Sequence, residues 1–341
     1  MSTMKKEPLL RIEDLHISFH TYAGVVQAVR GVDLELEAGS VLAIVGESGC
    51  GKSVTAQSVL QLNPAPPAVV DGGRILMEGR DLLTLTDKQM QQVRGHEISM
   101  IFQDPMTSLN PTMRIGRQII EGVLRHQQVS KQEAARQAVD MLRMVGISNP
   151  EVRMRQYPHE LSGGMRQRVM IAMALVCKPK ILIADEPTTA LDVTIQSQIV
   201  DLLLDMRERL GTAIMLITHN MGVVADIADR VAVMYAGLIV EQGSVRDLFY
   251  DPHHPYTWGL LNSLPKMNDA SAELIPIEGT PPDLLNPPPG CPFAPRCRYC
   301  MRICHAAAPD QTFVSEDHFV RCWLKHEYAP VIRRESGVAC E

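Results

Sequence analysis

No uncharged apolar run in this sequence approaches the roughly 18 residues needed to cross a bilayer, so any membrane role has to come through partners. A basic excess is also missing. The 33 Lys and Arg are outnumbered by 39 Asp and Glu, leaving a net charge of -6. No global positive field therefore argues for nucleic acid, and none is expected as a partner. The opening stretch Met1–Pro8 carries Lys5 and Lys6 with no apolar segment behind them. That does not read as a signal peptide, and a cytosolic chain is expected. There is no internal repeat and no sustained heptad pattern. Cysteine is scarce until late. Of eight, only Cys50 and Cys177 precede Cys291, Cys297, Cys300, Cys304 and Cys322, with Cys340 in the tail. In a cytosolic chain a late cluster of this kind reads as metal binding before disulfides.

What is present is ordinary in bulk. The 341 residues, 45% hydrophobic and 21% charged, suffice for one large core plus an extension. The chain is organised around Val41–Val45, an apolar run leading into Gly46-Glu47-Ser48-Gly49-Cys50-Gly51-Lys52-Ser53, with helix-compatible sequence from Val54. Strand, glycine-rich turn and helix in this order form a phosphate cradle. The glycines let backbone N–H groups curl inward, and the helix N-terminus adds unpaired donors. In such a loop Lys52 reaches the β- and γ-phosphates and Ser53 ligates Mg²⁺.

Around that loop the pattern alternates between β and α. Leu10–His20 reads as a strand, and Val25–Glu37 as a second alone or as a second and a third, turning at Glu37-Ala38-Gly39-Ser40. Gly72, Gly73 and Gly79 punctuate a further β region at Arg74–Met77. Ile98–Phe102 is a short strand ending at Gln103-Asp104-Pro105. A helical insert then occupies about 104–165. Within it Ser130-Lys131-Gln132-Glu133 is a capping box, followed by apolar residues at helical spacing as far as Gly146. Core α/β structure resumes with a helix over Gln167–Val176, a strand over Ile181–Ala184, a helix over Ile195–Leu210 and a strand over Ala213–Thr218. Val231–Tyr235 and Leu238–Gln242 form a closing hairpin. Pro281, Pro282 and Pro287-Pro288-Pro289-Gly290 mark a linker into the cysteine-rich tail.

Two further runs carry chemistry. Ile181–Ala184 ends in Asp185-Glu186: a buried strand delivers Asp185 to a Mg²⁺ shell, and Glu186, one residue on, can serve as general base for water. Leu161-Ser162-Gly163-Gly164-Met165-Arg166-Gln167-Arg168 opens a helix with a second anion site that lacks a lysine. Two such cradles separated by over a hundred residues are best used by two chains facing head to tail.

Together these runs resemble the ATPase subunit of an ATP-binding cassette (ABC) transporter. The resemblance covers residues 8 to about 250. The run Leu161, Ser162, Gly163, Gly164 and Gln167 matches that family's signature. Gly46–Ser53 matches its Walker A loop, whose next residue, Val54, offers only a backbone amide. Gln103 matches its Q-loop, Asp185 and Glu186 its Walker B, Ala190-Leu191-Asp192 its D-loop and His219 its H-loop. The resemblance implies a P-loop NTPase (RecA-like) α/β core, with an antiparallel β subdomain, an α-helical signature subdomain and a small Cys-rich extension. It implies ATP stacked on Phe19 or Tyr22, Mg²⁺ held by Ser53, Gln103 and Asp185, and hydrolysis by Glu186, with His219 contacting the γ-phosphate. The ATPase domain is expected over 8–258, the extension over 259–330 and a tail over 331–341.

Phe102–Pro111, His254-Pro255-Tyr256-Thr257 and Gly290-Cys291-Pro292-Phe293-Ala294-Pro295-Arg296-Cys297 are similar to the dipeptide/oligopeptide (and nickel) importer branch. This narrower resemblance implies two integral-membrane permeases, a second and non-identical ATPase, and an extracytoplasmic peptide-binding protein acting through the permeases. It implies a place at the cytoplasmic face of the cell membrane. Nickel or glutathione as cargo, and a soluble ABC ATPase working on ribosomes or nucleic acid, stand as alternatives. Cys291, Cys297, Cys304 and Cys322 are spaced to suit no standard zinc motif, and four thiolates suit either Zn²⁺ or an Fe–S cluster. Within the branch the four-cysteine tail resembles a [4Fe–4S] site, with Cys300 an alternative ligand or a bystander, and Zn²⁺ or free thiols as the other possibilities.

Overall fold

The computed structural model describes residues 7–104, 108–188, 192–264, 276–330 and 332. Pro105, Met106, Thr107, Ala190, Leu191 and Cys340, named above, lie outside the described residues.

Two sheets form the frame. The first is antiparallel in the order β2-β1-β4-β5: β1 Leu10–Thr21, β2 Gly24–Leu36, β4 Ala68–Met77 and β5 Arg80–Asp81. The residues Val25–Glu37, read above as one strand or two, lie almost wholly in the single strand β2. The register shifts in its pairing with β1 absorb the break in alternation. The second sheet has the order β11-β12-β10-β9-β3-β8-β7-β6. Its centre is parallel: β9 Arg230–Tyr235, β3 Val41–Val45, β8 Ala213–Thr218, β7 Ile181–Asp185 and β6 Ile98–Ile101. All residues of β3, β7 and β8 are buried, as strands covered on both faces must be, and this explains their unbroken apolar sequences.

Helices cover the faces. α1 (Lys52–Val59) follows β3, and α2 (Asp87–Val93) starts on a reciprocal Thr86/Gln89 cap. The helical insert contains α3 (Ile115–His126), α4 (Lys131–Met144) and α5 (Pro150–Arg153), and packs with α6 (Gly163–Leu175) against β6. Ser130 caps α4 by accepting the Glu133 N–H, and Gly146 ends it at φ 80°. α7 (Val193–Leu210), α8 (Met221–Ile227), α9 (Val245–Tyr250) and α10 (Pro255–Asn262) follow. Three apolar cores result: one under the helical insert, one between the two sheets and one where β3, β9 and α10 meet the C-terminal residues. Among the described residues no helix is long and apolar enough to cross a membrane.

The cysteine-rich segment is not a lobe beyond a spacer. Its α11 (Arg302–Ala306) is followed by β11 (Thr312–Phe313) and β12 (Phe319–Val320), and β12 pairs with β10 (Leu238–Ser244), so the segment extends the main sheet. In the proline-rich stretch Leu284 accepts the Gln27 N–H of β2 at 2.9 Å. The reason is burial. A segment this short cannot build its own core. Cys291, Phe293, Ala294 and Cys304 are therefore buried against Tyr235 and Tyr256.

Candidate nucleotide site

The parallel order β3-β8-β7-β6 brings four strand ends into one row, the edge where ligands bind open α/β sheets. Val45 lies beside Thr218, Asp185 beside Ile217 and Ala184 beside Ile101. Gly46, His219 and Glu186 follow directly on these ends, and Gln103 lies two residues past Ile101. Strand pairing alone thus gathers residues scattered over more than 170 positions of sequence.

The loop Gly46–Ser53 needs its glycines for space. A Cβ on Gly46 would run into the Met234 carbonyl, and one on Gly51, at φ 106°, into the Ala28 carbonyl. Lys52 is buried, its ammonium donating to the carbonyls of Gly46 (2.8 Å) and Glu47 (2.9 Å) and lying near Cys50 Sγ (3.9 Å). Ser48 and Gly49 are exposed at the rim. Ser53 Oγ donates to Asp185 Oδ1 at 2.9 Å, so hydroxyl and carboxylate meet from β7 and the start of α1. Burial raises the Asp185 carboxyl above its usual range. A cation beside it would favour the ionised form.

Glu186 sits at φ 47°, a region unfavourable for a residue with a Cβ, and its N–H donates to Ile217 at 2.9 Å. Gln103 Nε2 donates to Glu186 Oε2 at 3.0 Å, and His219 Nδ1 lies 3.4 Å from Oε1. Gln103, expected on the Mg²⁺ shell with Ser53 and Asp185, has its amide on Glu186 instead.

The helix-opening run is built differently. Ser162 caps α6 by accepting the Met165 N–H (3.4 Å), and Ser162 and Gly163 are exposed. Leu161 is buried, and Ile195 faces Gly164. Gln167 is buried and donates to the Pro187 carbonyl at 2.6 Å, tying this helix to the segment just beyond Glu186. Asp192 caps α7 by accepting the Ile195 N–H. Phe19 continues the inward row of Leu15 and Ile17 and is partly buried, whereas Tyr22 stands fully exposed at the β1–β2 turn.

Residues 29–189 match the family described as ABC transporter, and 240–304 the family described as oligopeptide/dipeptide transporter, C-terminal region. The oligopeptide transport ATP-binding protein OppD of Bacillus subtilis is 57% identical over 331 residues, 97% of this chain and 92% of that one. The dipeptide transport ATP-binding protein DppD of the same organism is 56% identical, covering 95% and 96%. This chain belongs to the ABC transporter ATPase family. Its cassette fold is shared with a bacterial ABC transporter cassette solved as a dimer, at a TM-score of 0.62 and 24% identity over 70% of this chain and 99% of that one. It is shared likewise with cbiO1 of Clostridium perfringens, at TM-score 0.62, 29% identity, 72% and 92%.

Two residues of this ABC ATPase that touch its phosphate loop escaped the sequence reading as site residues. Tyr256 Oη accepts the Glu47 N–H at 2.8 Å, and Arg296 pairs with the Glu47 carboxylate. Tyr256 lay in a run noted only for its branch resemblance. Arg296 is 249 residues from Glu47, and no spacing rule reaches that far.

The late cysteines come together in one apolar neighbourhood. Cys291 N–H donates to the Cys304 carbonyl at 2.8 Å, and Cys300 Sγ lies 3.2 Å from His305 Nε2. Burial, reinforced by the neighbouring thiols, pushes Cys291 and Cys297 up to about 11 and Cys322 up to about 12. The thiols acting on Cys322 are those of Cys291, Cys297 and Cys304. Among the described residues, no three His, Cys, Asp or Glu side chains are arranged to hold a metal ion. A tetrahedral Zn²⁺ at about 2.3 Å from each sulfur would need the thiols drawn more closely around one centre.

Proposed function

We propose that this chain is the ATP-hydrolysing subunit that powers import of di- or oligopeptides across the cytoplasmic membrane through partner permeases. The observation that carries the reading is similarity along nearly the whole chain to proteins named for oligopeptide and dipeptide transport, through both cassette and C-terminal region.

In this proposal Gly46–Ser53 with Val54 cradles the phosphates and Lys52 turns from the loop carbonyls to the β- and γ-phosphates. Phe19 or Tyr22 supports the adenine. Ser53 and Asp185 hold Mg²⁺, which offsets phosphate charge when bound. Gln103, at the junction with the helical insert, would join that shell and so relay nucleotide state to the membrane partner. Glu186 takes a proton from the attacking water, with His219 orienting it. Leu161–Gly164 completes the site of a second ATPase subunit, with Asp192 at the facing surface.

The partners are two integral-membrane permeases, a second and non-identical ATPase, and an extracytoplasmic peptide-binding protein acting through the permeases, with this chain at the cytoplasmic face. Cys291, Cys297, Cys304 and Cys322 hold a [4Fe–4S] cluster, with Zn²⁺ as the alternative. The soft donor set, gathered in one apolar neighbourhood with Cys291 and Cys304 buried, supports this.

Mild-detergent purification from native membranes tests both parts. Two polytopic proteins and a second ATPase should co-purify, together with iron and acid-labile sulfide in equal amounts. A ribosome, or no membrane partner, overturns import. Zinc without sulfide overturns the cluster.

A further inference from the structure

Glu47, the second residue of the phosphate loop, is held from both sides by the C-terminal part of the chain. Arg296 Nη1 lies 2.6 Å from Glu47 Oε2, and Nη2 lies 3.0 Å from Oε1. This is the two-pronged geometry that makes arginine–carboxylate pairs strong and directional. The backbone N–H of the same glutamate donates to Tyr256 Oη.

Arg296 itself has no freedom to drift. Its Nε donates to Glu278 O at 2.9 Å, Nη2 to Ile277 O at 3.1 Å and Nη1 to Tyr235 Oη at 3.2 Å. The guanidinium lies 5.8 Å from the Tyr235 ring and 5.9 Å from that of Phe293. Its side chain is only 4% exposed, against 27% for Glu47. It sits on the single helical turn Ala294–Arg296, directly before Cys297. Its location therefore depends on how the cysteine-rich segment packs.

The charge balance gives the pair a consequence. The loop has to accept a polyanion, and Glu47 places a carboxylate on that loop. Left alone, this carboxylate opposes phosphate binding; neutralised, it serves as a handle that fixes the first turn of the loop. Lys52 is bonded to the Gly46 and Glu47 carbonyls, so a shift of Glu47 also shifts the lysine's surroundings.

We propose that Arg296 is a positioning residue of the ATP site, neutralising and anchoring Glu47 so that the C-terminal extension sets the cassette's affinity for ATP. This rests on reading Gly46–Ser53 as the ATP cradle.

The test titrates the full chain with AMP-PNP and Mg²⁺ as wild type and as Arg296→Gln, Arg296→Lys, Glu47→Gln and the double Glu47→Gln/Arg296→Gln. Arg296→Gln should weaken binding roughly tenfold, less at high salt. Arg296→Lys, keeping the charge without the fork, should fall between. The double variant should return to within roughly threefold of wild type, a coupling only a direct pair produces. Wild-type affinity in Arg296→Gln, or a loss the double variant does not rescue, overturns the proposal. Where Arg296→Gln fails to fold, Arg296→Lys carries the test, and wild-type affinity in that variant overturns the proposal equally. A wild-type chain that does not bind AMP-PNP overturns the ATP-cradle reading and the proposal with it.

Discussion

Glu186 follows a buried strand at a backbone angle that residues with a Cβ adopt at a cost of about 1–3 kcal/mol. The Ile217 carbonyl, Gln103 and His219 all bear on it. A carboxylate placed this way is oriented before any ligand arrives. Glu186→Gln keeps the shape and removes the basic site. Phosphate release should fall roughly 10²- to 10⁴-fold while nucleotide binding persists. In size-exclusion chromatography with ATP, the variant should accumulate as a closed dimer with its partner ATPase or with itself. Undiminished turnover would remove Glu186 from the role of base. The neighbouring Asp185 was legible in sequence for the same reason, as the polar end of an apolar strand. That Gln103 contacts Glu186 and not the Ser53–Asp185 pair was not legible, because it depends on side-chain reach across two strands.

At the scale of elements, the phosphate loop shows which glycines the fold requires. Gly49 and Gly51 both have positive φ, but an added Cβ meets nothing within 4 Å at Gly49 and a backbone carbonyl at Gly51. Gly49→Ala should therefore cost only the left-handed backbone penalty, about 1–2 kcal/mol. Gly51→Ala has to push β2 away from the loop as well. Thermal melts should show the larger drop for Gly51→Ala, and nucleotide titration should show binding lost in that variant and weakened in the other. Equal effects would mean that backbone angle, and not the contact with Ala28, decides. Elements with strong local signals were readable: β8 coincides with the stretch read as a strand, and α4 starts at the expected Ser130 cap. Shorter elements escaped. α2 carried a capping box at Thr86 and Gln89 that went unread, and α8 begins at Asn220, whose side chain accepts two backbone N–H bonds. Both signals were local and could have been found.

For the molecule as a whole, the join between cassette and extension rests on a buried charge. Glu241 is fully buried; it accepts from the backbone N–H groups of His253 and His254, and His318 Nε2 lies 3.0 Å from it. Burial works to raise this carboxyl, and the donors outweigh it and hold it below its usual value. His254, whose Nδ1 accepts the Tyr256 N–H, is pushed down by burial to about 4 from 6.5. Between those values the unfolded imidazole binds a proton and the folded one does not, so stability rises with pH across that window. The His254 contribution is complete above about pH 6.5 and lost toward about pH 4, a difference of about 3 kcal/mol. Glu241 acts with the same sign at lower pH. Melting temperature should accordingly fall on acidification from pH 7 to 5, and His254→Gln should flatten that slope. A slope unchanged by the substitution would place the titrating group elsewhere.

The sequence alone determined the family and the phosphate-binding run, because both rest on contiguous residues. A strand, a glycine turn and a helix start are within a few positions of one another, and Leu161–Arg168 is a single stretch. Tertiary structure decided everything that joins distant segments. It set the row β3-β8-β7-β6 that brings Gln103, Glu186 and His219 together, the choice of one strand over two at Val25–Glu37, and the seating of the cysteine-rich segment on the main sheet. It also decided the Arg296–Glu47 pair. Hydrogen bonding between strands and burial of a segment too small to bury itself act without regard to sequence separation, and no local pattern records them.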